Sequence, residues 1–339
     1  MSDLIRIKFA VAGGRGIGFG HVMRCASIAS AAAERGHAVS FALRGDATAA
    51  LALGEEVPDV VLRPWAGTQQ LVEDCDWLVI DDPGEIRAEL VTARAAGVRT
   101  CVLGRVDQLD LADATVLPIA HGPKLSHPRL LQGGEWCLIS PAIGTYRARP
   151  YPEARLIGLI TLGAADPLGL TVPVARAVRE AVLGSREMPW LKLHVIVGPA
   201  FADGESVARE LEAVGCRLRR GPSRAELAAL MGRAVFAATA FGTSVYDLAA
   251  VGVPMVYWTH RSTDLEAAHR LEAAGIGALA GDGSDFTPAA CRELLGRTLL
   301  DPMWRVRASV RGRAVVANAD GAARIVTLME RGMPLEASA

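Results

Sequence analysis

Short runs of β-branched and aliphatic residues alternate along this chain with longer Ala-rich stretches whose apolar positions recur every three or four residues. IRIKFAVA predicts a strand, HVMRCASIASAAAERG a helix stopped at Gly36, AVSFAL a second strand, and DWLVID, RTCVLG and ATVLPIA later ones. From Arg155 the alternation begins again. RLIGLITLG, LKLHVIVG, CRLRR, AVFAATA and PMVYW predict strands, and LTVPVARAVREAVLG, SVARELEAVG, SRAELAALMG and TSVYDLAAVG predict the helices between them. Such alternation is that of βαβ units around a parallel sheet, here occurring twice. GTYRARPYPEA between the halves follows neither period and is rich in Pro and charge, which predicts a linker with its boundary near Pro150. The expected division is residues 1–150, a Rossmann-like domain; 151–300, a second one; and 301–339, two helices packing across both. The predicted class is α/β, with two facing doubly wound domains and a cleft between the C-terminal edges of their strands, where this architecture binds ligands.

Length and composition agree with that organisation. At 339 residues the chain suits two domains, and 51% hydrophobic against 22% charged residues describes folded protein, not a disordered chain. The net charge of -1 provides no broad field for nucleic acid or an anionic membrane, so a bound anion must be held locally. No apolar stretch reaches the roughly 20 residues of a membrane helix, and the opening residues lead into a Gly-rich turn without a signal-peptide cleavage site. A cytoplasmic protein is expected. The six cysteines lie scattered without a CxxC pair, which predicts reduced thiols and no metal site.

The loops that follow strands carry the candidate chemistry. The first runs Gly13, Gly14, Arg15, Gly16, Ile17, Gly18, Phe19, Gly20 and ends on His21. Its glycines open the backbone to a ligand, but Phe19 breaks the GxGxxG spacing, and FALRGD offers only Asp46 as a ribose-binding acid, which disfavours a dinucleotide dehydrogenase. His21 falls in the first turn of the helix, where the dipole favours the neutral imidazole and hence a proton acceptor; capping the turn or packing on the sheet is its alternative role. Asp81, with Asp82 at the end of DWLVID, reads equally as a sugar ligand, a base or a turn cap. In the second half, Gly163-Ala164-Ala165-Asp166-Pro167 places Asp166 as an N-cap with Pro167 at the first helical position. Gly242, Thr243 and Ser244 open a helix bearing Asp247 one turn later, an arrangement suited to a pyrophosphate and a ribose, or to ordinary capping. His260 and Arg261 follow PMVYWT as basic residues for an anionic sugar or a phosphate. Neither a GxSxG elbow nor a Walker loop is present.

Together IGFGHVMRC at 17–25, DWLVID at 76–81, TLGAADPLGLT at 161–171, AFGTSVYDLAAVGVP at 240–254 and DGAARI at 320–325 resemble, in order, the UDP-sugar hydrolases of the pseudaminic acid pathway and the related spore-coat polysaccharide proteins. The resemblance implies the GT-B glycosyltransferase fold, a catalytic role for His21, and UDP held by Gly242, Thr243, Ser244 and Asp247, with Gly163 and Gly198 as further expected nucleotide contacts. Asp247 replaces the family's usual Glu. Arg15, Ala164-Ala165 and Thr259-His260-Arg261-Ser262 depart from the family's pattern on the sugar side. Arg15, Gly16, Gly18, Gly20, Asp81, Asp166, His260 and Arg261 are therefore the expected sugar and acceptor contacts. The expected reaction is transfer from a UDP-sugar to a small acceptor with His21 as base. Hydrolysis by the same base and non-catalytic nucleotide-sugar binding are the alternatives. No cofactor beyond the UDP-sugar co-substrate is expected, and no nucleic-acid partner.

Overall fold

The computed structural model describes residues 4–332 apart from 121, 123, 124, 153, 154, 186, 187, 189, 199, 202 and 203. The chain forms two compact units, one of residues 1–139 with 318–339 and the other of residues 140–317.

In the first unit the elements are β1 (Arg6–Gly13), α1 (Gly20–Glu34), β2 (Ala38–Gly45), α2 (Ala47–Glu56), β3 (Val61–Pro64), α3 (Thr68–Val72), β4 (Trp77–Asp81), α4 (Arg87–Ala95), β5 (Arg99–Leu103), β6 (Ala114–Leu117) and β7 (Leu130–Gln132). Among the described residues they make a seven-stranded parallel sheet in the order β3-β2-β1-β4-β5-β6-β7. Strand alternation sends Phe9, Val11, Phe41 and Val79 to one core with α1, while Ala10, Ala42, Leu78 and Ile80 pack with Leu71 and Leu90 in another. Small Ala10 and Ala42 on the second face let α3 and α4 approach, and the stacked rings of Phe9 and Phe41 fill the first.

The second unit holds α5 (Gly144–Arg147), β8 (Ile157–Thr161), α6 (Thr171–Gly184), β9 (Lys192–Val197), α7 (Gly204–Ala213), β10 (Arg217–Arg220), α8 (Arg224–Arg233), β11 (Ala234–Ala240), α9 (Ser244–Val251), β12 (Met255–Thr259), α10 (Leu265–Ala273), β13 (Ala278–Asp282), α11 (Pro288–Arg297) and α12 (Pro302–Val315). Its sheet, six-stranded among the described residues, runs β10-β9-β8-β11-β12-β13, again parallel. Both orders turn about a central first strand, as in doubly wound nucleotide-binding sheets.

The last helix, α13 (Gly321–Arg331), belongs to the first unit. Ile325, Val326, Leu328 and Met329 are buried in its core, Gly321 N–H donates to the Cys137 carbonyl, and Glu330 pairs with His37 and Arg35. DGAARI is thus a docking motif. The two C-terminal helices, expected to pack across the domains, separate instead: α12 packs on α9 and α13 on α1. The first unit ends at Ile139, ahead of the expected Pro150. Helix α6 starts at Thr171 and not at Pro167, because Asp166 takes a positive φ of 44° and turns the chain before the helix begins. No described helix is long and apolar enough to cross a membrane.

Candidate active site

At the C-terminal edge of the first sheet the chain leaves β1 through the Gly-rich loop. Gly14 and Gly18 exchange backbone hydrogen bonds, Gly14 N–H to Gly18 O at 3.1 Å and Gly18 N–H to Gly14 O at 2.7 Å. Closing so short a loop requires φ of +130° at Gly14 and +99° at Gly18, values that other residues adopt only with strain. Asp46 at the start of α2 anchors the loop by accepting from Arg15 N–H at 2.9 Å while it also caps its own helix through Thr48 and Ala49 N–H. The bond from Arg15, followed by those from Thr48 and Ala49, brings the Asp46 carboxyl down to about 2. Arg15 and Gly16 stand exposed at the tip, and a Cβ on Gly16 would meet no atom within 4 Å.

The loop delivers the chain into α1, with Gly20 as its first residue and His21 as its second. No side chain caps this helix and its first turn holds no acid. His21 Nδ1 lies 2.6 Å from Oδ1 of Asp81, the last residue of β4, which is adjacent to β1 in the sheet. Arg24, one turn further along α1, reaches the same carboxylate with Nε at 2.9 Å from Oδ2 and Nη2 at 2.8 Å from Oδ1. Arg24 Nη2 also comes within 2.9 Å of His21 Nδ1. A guanidinium only donates, so that approach is not a bond to a protonated Nδ1; both hydrogens turn toward Asp81 Oδ1. Burial alone would raise the pKa of Asp81, but the charge of Arg24 and the bonds from His21 and Arg24 outweigh it and hold the carboxyl below its usual range. The ionised carboxylate fixes the proton on Nδ1 and leaves the Nε2 lone pair as acceptor. The Asp81 side chain is only 1% exposed and that of His21 23% exposed, so His21 alone of this pair is open to a substrate.

Asp81, expected as a sugar ligand, a base or a turn cap, thus spends both carboxylate oxygens on His21 and Arg24. Its neighbour Asp82 binds Arg44 at 2.9 Å and Gly84 N–H at 2.6 Å, and Arg44 stacks over Trp65. Sequence reading gave Arg24 no role, although its spacing of three from His21 puts both on one face of α1. It also passed over Asp46 as a failed ribose ligand, whereas the residue tethers the loop.

The second unit gathers its predicted residues at the C-terminal edge of its own sheet. Asp166 caps α6 from a distance, accepting from Leu170 N–H at 2.9 Å and Thr171 N–H at 2.8 Å. His260 Nε2 lies 2.9 Å from the Leu162 carbonyl, and a Cβ on Gly163 would come 3.8 Å from that same nitrogen. Because the carbonyl only accepts, Nε2 carries the proton and Nδ1, buried without a partner among the described residues, is an acceptor. Arg261 is 73% exposed and bonds Asp264 at 3.0 Å, so its charge is already partnered locally. Gly198 has a packing reason: a Cβ there would run into the Ala164 carbonyl.

Gly242 is open, with no atom within 4 Å of an added Cβ, and Thr243 at the start of α9 makes no side-chain cap, so ordinary capping does not account for its hydroxyl. Asp247 is buried and accepts from Ser140 N–H at 2.8 Å through Oδ1. Burial raises its pKa, against the lowering by the Arg224 charge and the Ser140 bond. A ribose contact from Asp247 therefore has to use Oδ2. No group of three or more His, Cys, Asp or Glu among the described residues is arranged to hold a metal ion.

No protein-family model and no curated protein sequence matches this chain. Solved structures match over nearly its whole length. MurG of Acinetobacter baumannii aligns with a TM-score of 0.67 at 14% identity, covering 96% of this chain and 99% of that one. The glycotransferase of kitacinnamycin gives 0.68 at 16% identity, covering 98% of this chain and 100% of that one. The UDP-GlcNAc 2-epimerase of Neisseria meningitidis, solved with UDP-GlcNAc bound, gives 0.61 at 10% identity, covering 97% and 99%. Two parallel sheets of seven and six strands, together with these neighbours, give the chain the two-domain GT-B fold shared by glycosyltransferases and UDP-sugar epimerases.

Proposed function

We propose that this protein is a glycosyltransferase that moves a sugar from a UDP-sugar to a small acceptor, with His21 as general base. The observation that carries this reading is the His21–Asp81–Arg24 arrangement, in which a buried, ionised carboxylate sets the tautomer of a solvent-accessible imidazole. In the proposed reaction an acceptor O–H or N–H gives its proton to His21 Nε2. The acceptor atom bonds to the anomeric carbon, and the bond from that carbon to the diphosphate oxygen breaks with UDP taking the electron pair. Asp81 steadies the imidazolium that forms. Gly242, Thr243 and Ser244 at the start of α9 would hold the diphosphate through backbone amides and the helix dipole, Gly163 and Gly198 shape the same edge, and Asp247 takes the ribose through Oδ2. No further cofactor enters this scheme. On the sugar, Asp166 supplies an acceptor for a hydroxyl through the carboxylate lone pairs that the Leu170 and Thr171 N–H groups leave free. Arg15 is the exposed cation that a hexuronic carboxylate would use.

Hydrolysis is the second reading, favoured by the resemblance of IGFGHVMRC to the pseudaminic-pathway UDP-sugar hydrolases. Incubating the protein with UDP-glucuronic acid and UDP-N-acetyl sugars, with and without nucleoside and other small acceptors, separates the two. Transfer predicts UDP release that requires an acceptor and stops in His21→Ala. Release at one rate with or without acceptor assigns the protein to hydrolysis. UDP-sugar binding without turnover, unaltered in His21→Ala, makes it a nucleotide-sugar-binding protein.

A further inference from the structure

Helix α12 has its polarity reversed. A surface helix ordinarily turns apolar residues to the core and charged ones to water. Here the inward face carries Arg305 and Ser309, both buried, which bond backbone carbonyls: Arg305 Nη1 to Leu299 O at 2.7 Å and Ser309 Oγ to Gly252 O at 2.7 Å. Arg313 follows them, donating to Val251 O at 2.6 Å. The apolar side chains Met303, Val306 and Val310, spaced as one stripe of a helix, face outward and are 61%, 41% and 64% exposed. Beside the stripe lies a cavity of about 220 Å³ lined by Trp304, Arg307, Arg311, Glu272, Gly275 and Gly277.

The geometry points to α12 as a docking surface for an anionic phospholipid membrane, with Met303, Val306 and Val310 entering the acyl boundary and a headgroup phosphate received between Arg307 and Arg311. Charge complementarity selects this occupant. Residues 302–315 contain four arginines and no acid. Of the neighbouring carboxylates, Asp301 caps α12 at Met303 N–H and stands 3.8 Å from Arg307, while Glu272 accepts from Leu279 N–H. A second copy of the chain fits poorly, because a two-fold pairing of α12 with itself would set Arg307 and Arg311 against their own counterparts. Trp304, half-buried at the cavity wall, is the residue type that sits at a membrane–water boundary. Since the whole chain carries a net charge of only -1, the attraction is local, and binding combines a short apolar stripe with two exposed cations.

Sedimentation of the full chain with vesicles tests this. The protein should pellet with phosphatidylglycerol vesicles, stay in solution with phosphatidylcholine vesicles, and be released by salt. Arg307→Ser/Arg311→Ser and Val306→Ser/Val310→Ser should each lower the bound fraction about tenfold or more while circular dichroism melting stays near that of the parent. Failure of the parent to pellet with phosphatidylglycerol overturns the proposal, as does undiminished pelleting of both double variants. Binding of soluble glycerol phosphate without vesicle binding assigns the cavity to a free phosphate and also overturns it. An α12-dependent dimer in solution, found by sedimentation velocity, does the same in favour of self-association.

Discussion

His21 takes its chemical character from a buried carboxylate and the guanidinium beside it. Asp81 is buried against Arg24 and Nδ1 of His21, so replacing it by Asn keeps the shape while removing the charge that fixes the tautomer and steadies the imidazolium. Asp81→Asn is expected to lower kcat on the order of a thousandfold, with KM for the UDP-sugar little altered, as steady-state UDP release will show. Arg24 acts through the same carboxylate. Because Asp81 titrates below its ordinary value in the folded protein, its contribution to stability is fully present above the unfolded value and is lost as pH falls through the lowered one. In Arg24→Met the carboxylate loses its main counter-charge against burial and its folded pKa rises, so the variant should be less stable than the parent near neutral pH and should lose less stability on acidification. Urea midpoints from neutral pH down to about pH 3 read that difference, and coincident profiles would remove Arg24 from this account.

At the scale of elements, the second unit's edge depends on Asp166, which holds α6 from a loop residue. Asp166→Ala removes both bonds to the helix's first amides and should cost about 1 kcal/mol, seen as a lower Tm, together with a higher KM for the UDP-sugar. Asp166→Asn, which keeps an acceptor and tolerates positive φ, should recover most of the loss. Strong local patterns make many elements legible in the sequence: β1, α1, β4, β8 and α9 each carry an uninterrupted period and lie where the sequence puts them. Short edge elements did not announce themselves. β3 (VLRP) and β7 (LLQ) have too few residues for a period, and β13 (ALAGD) reads as turn chemistry because of its glycine. For the candidate site, the loop singles out His21 in the sequence but says nothing of its partners. Asp81 meets His21 only through the adjacency of β4 and β1, and the hydrogen bonds of His260 and Asp247 run to carbonyl and amide groups whose positions no side-chain pattern encodes.

At the scale of the molecule, the first unit is made from two distant parts of the chain, residues 1–139 and 318–339. Ending the chain after Ala317 would remove α13 and expose the core that Ile325, Val326, Leu328 and Met329 cover. At about 1.5–3 kcal/mol for each large apolar side chain, that loss approaches the roughly 5–15 kcal/mol that stabilises a whole domain. Hydrogen exchange should therefore show residues 4–139 unprotected in the truncated chain and residues 140–317 still protected. Equal protection in both parts would mean that α13 is an accessory and not a component of the core.

The same interruption has a consequence for biosynthesis. Nascent domains ordinarily mature from the N-terminus onward. Here the polypeptide that carries His21 and the Gly-rich loop leaves the ribosome before the second unit, yet must wait for α13, which emerges after every residue of that unit. The second unit can mature in the meantime, and the unit bearing His21 becomes whole only once α13 has been made.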